Sequence, residues 1–163
     1  MKDGKGVLTL STGDRYEGQF CKDQFEGQGT YNFHDGRRFR GGWKEGKRSG
    51  RGELLLVNGD LFTGEFSENL LNGFAECFFA DGSWYKGAMR NGKKCGQGEF
   101  YWQTGERYVG GFKNCLRDGQ GTYTYSDGRV YRGEWKNDQE NGHGTLEVNG
   151  VVEEGEWLNG VKK

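Results

Sequence analysis

The feature that most constrains this chain is a pair of glycines, Gly-x-Gly, that returns at a fixed interval along the whole sequence. A short unit repeated in this way folds the same way each time, and neighbouring copies then bury a shared surface. The pairs begin at Gly4, Gly27, Gly50, Gly73, Gly96, Gly119 and Gly142, each 23 residues after the last, and only Ala75 replaces a second glycine.

Two large side chains also recur in each copy. The first is an aromatic residue twelve positions after the start of the Gly-x-Gly pair, and it is followed by a glycine and then by a second bulky residue. The first set is Tyr16, Phe39, Phe62, Tyr85, Tyr108 and Tyr131, and the second is Phe20, Trp43, Phe66, Met89, Phe112, Trp135 and Trp157. The seventh copy is one residue short and lacks the first aromatic residue.

Composition agrees with repetition and disagrees with a thick core. The 163 residues include 32 glycines and no proline, and only 32% are hydrophobic. A chain so poor in aliphatic residues cannot fill a two-layer core. We therefore expect order to come from stacked copies of one small unit.

The segment Tyr131-x-Gly133-Glu134-Trp135, followed by Gly142-x-Gly144, resembles the MORN repeat. The resemblance runs from end to end of the chain. With the turn signals between the two motifs, it predicts an all-β fold, an elongated solenoid of seven stacked antiparallel β-hairpins. We expect one array with repeats at 4–26, 27–49, 50–72, 73–95, 96–118, 119–141 and 142–163, the last one irregular.

The pattern also predicts a register for each hairpin. Bulky residues stand four and six positions after the first glycine and must share a face with the later aromatic residues, so the turn must contain an odd number of residues, three or five. We expect Leu8 to lie opposite Gly18, and Phe20 opposite Gly6, so that large side chains cover glycines.

Catalysis has little support in the sequence, and we expect neither an enzyme nor a cofactor. The only histidines are His34 and His143, and no nucleophile signature or extended glycine-rich phosphate loop is present. A zinc ion shared between two chains through Cys21 and His34 is a weak alternative.

The four cysteines have no framework spacing, which favours a reducing, cytoplasmic setting. No apolar run is long enough to cross a bilayer.

Some residues break the repeat pattern on the face of the sheet that should be polar. We interpret the apolar ones as a partner-binding patch, with packing inside the array as the alternative. They are Leu55, Val57, Leu61, Phe78, Trp84, Tyr101 and Val109.

Charge is also unevenly distributed, although the net charge of −1 gives no reason to expect a nucleic-acid partner. A basic stretch is a candidate site for an anion or an anionic phospholipid, with a solvated charge run as the alternative. It consists of Arg37, Arg38, Arg40, Lys44, Lys47, Arg48 and Arg51, whereas residues 137–157 hold six acids and no lysine or arginine.

The resemblance to MORN proteins, which include parasite scaffold proteins built almost wholly of these repeats, implies attachment near membranes and the cytoskeleton. Our first hypothesis is a non-catalytic, cytoskeleton-associated scaffold that binds proteins and itself. The alternatives are a phosphoinositide or anionic-membrane module and the targeting segment of a larger enzyme. We expect a homodimer, antiparallel or formed through the C-terminal repeats, with Val151, Val152, Glu153, Trp157 and Leu158 as candidate contacts.

Overall fold

The structure is a computed structural model that describes residues 1–163. It has no helix, and therefore no helix capable of spanning a membrane. All fifteen strands follow chain order in one antiparallel sheet. They are β1 (Gly4–Thr9), β2 (Arg15–Cys21), β3 (Gln24–Asn32), β4 (Arg38–Lys44), β5 (Lys47–Leu55), β6 (Leu61–Ser67), β7 (Leu70–Phe78), β8 (Trp84–Arg90), β9 (Lys93–Tyr101), β10 (Arg107–Lys113), β11 (Leu116–Thr124), β12 (Val130–Lys136), β13 (Gln139–Val148), β14 (Val151–Leu158) and β15 (Val161–Lys162).

The strands fall into two units, residues 1–80 with β1 to β7 and residues 81–163 with β8 to β15. In the first unit every Gly-x-Gly lies on an odd-numbered strand, and every aromatic-x-Gly lies on the even-numbered strand that follows it. The same arrangement holds in the second unit. The expected all-β array of hairpins is confirmed.

The turn inside the earlier hairpins has three residues, whereas the last hairpin, β13–β14, turns through Asn149 and Gly150 alone. In the first repeat the backbone N–H of Leu10 donates to the carbonyl of Asp14 at 2.9 Å, and that of Gly13 donates to the carbonyl of Leu10 at 3.0 Å. Gly13 has a φ of 93°, in the left-handed region that favours glycine. This is a type I turn closed by a glycine bulge, and it confirms the odd turn length.

The predicted pairing was wrong by two residues. Gly6 pairs with Gly18, and Leu8 pairs with Tyr16, because the three-residue turn begins one residue earlier than expected. Glycines are nevertheless covered, but along a diagonal: a Cβ on Gly6 would lie 3.4 Å from the ring of Phe20. The large side chain reaches a glycine two residues away from its direct partner.

Consecutive hairpins are joined by two-residue turns that the sequence analysis did not identify. Between β2 and β3, Lys22 and Asp23 have φ values of 49° and 65°. Positive φ at both central residues defines the type I′ turn, which matches the twist of neighbouring strands. Every non-glycine residue with positive φ in the chain lies in a turn of this kind that links two adjacent strands.

In every Gly-x-Gly pair after the first pair of the chain, the leading glycine occupies a bulge. Between β2 and β3, Gly18 pairs with Gly29, but Gln19 pairs with Glu26, so Gly27 and Gln28 have no partner in the ladder. Gly27 has a φ of 63°. The repeat needs glycine here because the bulge places the residue in the left-handed region.

The buried side chains all come from one face of the sheet, which we call the aromatic face. Tyr16 is 0% exposed, and its ring stacks on Phe25 at 3.9 Å between centroids and meets Trp43 edge-on at 5.4 Å. A tyrosine of one repeat therefore packs against two rings of the next, so neighbouring repeats stabilise each other.

Candidate functional site

The aromatic face is held by a hydrogen bond that recurs at the buried tyrosines. The hydroxyl of Tyr16 donates to the carbonyl of Gln19 at 2.9 Å, and that of Tyr108 donates to the carbonyl of Gly111 at 2.9 Å. Burial raises the pKa of both phenols to about 12, so the hydroxyls stay protonated and keep donating at physiological pH. The side chains of this face are buried in the core and stabilise the fold. A binding site is therefore expected on the opposite face.

The aromatic face also holds cations that sequence reasoning missed. The guanidinium of Arg117 lies 4.3 Å from the ring centroid of Trp135 and forms an ion pair with Asp138 at 3.2 Å. Arg48 takes the same place three repeats earlier, over the rings of Phe39 and Phe66. Partial burial lowers the pKa of the Arg48 guanidinium. Such cations stabilise stacked aromatic rings by cation–π attraction.

The seven basic residues of the predicted anion site do not share one surface. Arg48 lies on the aromatic face, and the side chains of Arg37, Lys47 and Arg51 are paired with Asp35, Glu68 and Glu65. The remaining three, Arg38, Arg40 and Lys44, alternate with buried residues of β4 and point away from the aromatic face. Three cationic side chains of the basic stretch therefore lie together on the face of the sheet opposite the aromatic face, which we call the outer face.

On the outer face of the first unit, apolar side chains lie on neighbouring strands. Leu55 pairs with Leu61, and Leu61 pairs with Phe78, so the three residues form a strip across β5, β6 and β7. Phe78 is 47% exposed. Val57, which we had placed with them, lies in the turn between β5 and β6 and is not part of the strip.

A groove of about 510 Å³ lies beside this strip, over the glycines of β4, β5 and β6. Phe74 lines it and is 56% exposed. Phe74 was not among the residues predicted from the sequence, although a signal was present: the residue between the two glycines is polar or charged in every other repeat. The charged lining consists of Arg40, Arg51, Glu53, Glu65 and Glu76.

The outer face of the second unit carries the other predicted apolar residues. Trp84 and Tyr101 pair across β8 and β9, and their rings stack with centroids 5.8 Å apart and an interplanar angle of 13°. Val109 is 40% exposed and lines a second groove, of about 420 Å³, with polar residues that include Gln120 and Arg132.

The C-terminal repeat offers only part of the predicted dimer contact. Trp157 is 5% exposed and meets the ring of Tyr131 at 5.1 Å, so it belongs to the buried face and not to a contact surface. Glu153 stands where other repeats have the first aromatic residue, and it accepts a hydrogen bond from Lys162 at 2.8 Å.

The unpaired part of this edge begins with two exposed apolar residues, Val151 and Val152. Strand β15 pairs with β14 only at Trp157 and Leu158, so the rest of the outer edge of β14 has no strand beside it. Val151, Val152 and Leu158 are 64%, 58% and 49% exposed.

The structure gives no geometric basis for a metal site. Nδ1 of His34 lies 2.9 Å from a carboxylate oxygen of Asp14. Cys21 is exposed at the end of β2, and no group of three or more His, Cys, Asp or Glu side chains is arranged to hold a metal ion. Cys77, by contrast, is 2% exposed and acts as a small hydrophobic residue.

Among solved structures, the chain resembles the SAS-4 (dCPAP) TCP domain of Drosophila melanogaster, solved in complex with a proline-rich motif of Ana2 (dSTIL). The TM-score is 0.52 at 14% identity, over 92% of this chain and 88% of that one, which shows a shared fold. The microcephaly protein CPAP G-box domain also matches at 14% identity, over 94% and 93% of the two chains, with a lower TM-score of 0.38. No curated protein matches.

A protein-family model matches this chain along most of its length. The MORN repeat model matches residues 1–15, 16–37, 39–61, 62–84, 85–107, 108–128 and 131–150. From the second match to the last, the starts are 23 residues apart and fall on the first aromatic residue of each repeat. Together the seven segments cover most of the sequence, and the chain belongs to the MORN repeat family.

Proposed function

We propose that this chain is a non-catalytic scaffold that binds another protein through the outer face of its sheet. The observation that carries the proposal is the exposure of Phe78 and Phe74, 47% and 56%, beside the groove of the first unit. An apolar group at a groove is typical of an interaction site, whereas single apolar residues scattered over a surface need no explanation.

Two further considerations support this proposal. MORN repeats occur in proteins of varied roles, so the repeat provides a platform and the function lies in surface residues. The Drosophila TCP domain, which shares the fold, was solved with a proline-rich motif of its partner. We extend the proposal to a cytoplasmic location at the cytoskeleton or at its boundary with a membrane, on the family resemblance.

A capture experiment with matched variants tests this function. Phe78→Glu should abolish direct binding of a purified partner first identified by cross-linking, while Val7→Glu should not. Val7 is a fitting control because it is 50% exposed and lies on the same face of β1. Equal binding by the two variants, with both folded, would contradict the proposal.

We propose in addition that the chain forms a homodimer through its C-terminal repeat. Support comes from the unpaired edge of β14 and from the exposed Val151 and Val152 beside it, because an open strand edge pairs readily with a second chain.

The solution mass tests the dimer. Light scattering should give twice the 18.4 kDa of one chain, and deletion of residues 142–163 should return it to one. Because that deletion removes a whole repeat, Val151→Glu with Val152→Glu is the gentler variant and should also give a monomer. A monomeric wild-type chain at high micromolar concentration in low salt would refute the dimer.

A further inference from the structure

We infer that the outer face of β4 to β7 binds an amphipathic helix of a partner protein, with apolar residues on one side and acidic residues at one end. This inference rests on the proposed function and names the class of partner. Two independent features carry it: the spacing of the apolar strip, and two arginines beside it that form no ion pair.

The strip matches the repeat distance of a helix. Leu55, Leu61 and Phe78 lie on three adjacent strands, and adjacent strands are about 4.8 Å apart, so the strip extends over about 10 Å. Residues i, i+4 and i+7 of a helix lie on one face over about 10.5 Å. Three side chains on one face of an extended segment cover about 13 Å. A helix lying across the strands therefore fits better than a strand does.

The cationic end of the surface continues the same line. Arg38 pairs with Leu55 on β5, so it occupies the next place along the strip, and Arg40 follows it on β4. Neither arginine forms an ion pair: Arg38 faces Leu55, and the side chain of Arg40 does not engage Glu53, its partner in the ladder. A partner that places acidic side chains here, one helical turn beyond its apolar ones, would supply the missing charge.

Other repeats show that pairing is the usual arrangement at these two positions. Arg15 and Arg107 occupy the place of Arg38 in their own repeats and bind Glu17 and Glu99. Arg132 occupies the place of Arg40 and binds Glu147 at 2.9 Å. The two unpaired arginines of the second repeat are therefore a departure from the pattern at the point where the apolar strip begins.

The charges around the strip favour a protein over a membrane surface. Glu53, Glu65 and Glu76 line the adjacent groove on the same face and would repel a broad layer of anionic headgroups. Arg48 points to the other side of the sheet. A helix can centre its acids over Arg38, which has no carboxylate opposite it, whereas a lipid surface cannot avoid the carboxylates.

Fluorescence anisotropy with a synthetic probe tests the inference. The probe is a labelled helical peptide of about four turns with leucine at i, i+4 and i+7 and three glutamates in the following turn. A second probe carries lysine in place of the glutamates. The wild-type chain should bind the acidic probe at least tenfold more tightly than the basic one, with an affinity that falls as salt rises.

Variants locate the site. Arg38→Glu with Arg40→Glu should weaken binding of the acidic probe about tenfold or more, and Leu61→Glu should abolish it. Arg107→Glu with Arg132→Glu is the matched control, because these arginines hold the same repeat positions in the second unit. Circular dichroism checks that each variant is folded, and Leu61→Ser replaces Leu61→Glu if the latter is not.

The outcomes separate the inference from the proposed function. If neither probe binds, or the control variant loses as much affinity as Arg38→Glu with Arg40→Glu, the helix inference is overturned. Capture of a protein partner that depends on Phe78 would then still leave the scaffold function intact. If vesicles containing phosphatidylserine bind through Arg38 and Arg40 while the acidic probe does not, the surface is a lipid site and the inference fails.

Discussion

Replacement of Trp135 tests the packing argument most directly. Its side chain is 4% exposed, and its ring lies edge-on to Tyr108 at 5.2 Å and Tyr131 at 5.4 Å, so it contacts two repeats at once. Its Nε1 donates to the carbonyl of Gly121 at 3.4 Å, and the guanidinium of Arg117 lies 4.3 Å from the ring centroid.

The expected loss of stability in Trp135→Ala follows from these contacts. Truncation of a buried tryptophan to alanine costs about 3 to 5 kcal/mol, and the lost cation–π contact adds about 0.5 to 1. For a chain of this size that lowers the melting temperature by roughly 10 to 18 °C. The next residue, Lys136, is exposed on the outer face, and Lys136→Ala should change stability by no more than about 0.5 kcal/mol.

Urea and thermal unfolding followed by far-ultraviolet circular dichroism measure the difference without relying on tryptophan fluorescence, which the change itself alters. Hydrogen exchange should show the loss of protection concentrated in β11, β12 and β13, because a repeat contacts only its neighbours. Trp135→Phe should recover most of the stability. Similar unfolding midpoints for Trp135→Ala and Lys136→Ala would refute the assignment of this face as the core.

Three further changes test the backbone and the network between repeats. Gly29→Ala should destabilise far more than Gly6→Ala in urea unfolding, since an added Cβ would lie 2.5 Å from Cε2 of Tyr16 but 3.4 Å from the nearest atom at Gly6. Cys115→Gly should raise the free energy of unfolding by about 1 kcal/mol, because Cys115 has a φ of 72°; no gain would contradict the strain. Asp14 has a pKa held well below its usual range, first by the backbone N–H of the next turn and then by a tyrosine hydroxyl. A depressed pKa stabilises the fold above the ordinary carboxyl pKa of 3.8, and this stability is lost as pH falls below it, so acid titration of Asp14→Asn should show a shallower loss than the wild type.

Much of the fold follows from the sequence because its constraints are local. The 23-residue interval between Gly-x-Gly pairs fixes the number of hairpins, and the glycine at the tip of each turn fixes its place. Alternation fixes which side chains share a face: Tyr16 and Phe20 are separated by four residues on one strand, so both must point the same way. The buried face was therefore predictable without coordinates.

The register and the outer surface required the tertiary structure. The bulge at Gly27 and Gln28 adds two residues to one strand of a pair. Side chains alternate between the two faces with a period of two residues, so this insertion leaves every later side chain on the same face. The hydrophobic pattern of the sequence therefore does not reveal the bulge. The three-residue turn between Leu10 and Asp14 likewise starts one residue earlier than a second possible turn of the same length, and both would keep the same side chains on each face.

The candidate site shows the same division between local pattern and long-range pairing. The sequence placed seven basic residues in one stretch, but residues adjacent along a strand point to opposite faces, and Arg48 follows a turn that returns it to the aromatic face. Whether a charge is paired depends on a neighbouring strand: Arg107 forms an ion pair with Glu99 on β9, whereas Thr30 of β3 holds the corresponding place beside Arg38. The sequence by itself determined the repeat and its buried face, and the tertiary structure decided which exposed side chains lie together, because strand pairing joins residues that alternation along one strand cannot relate.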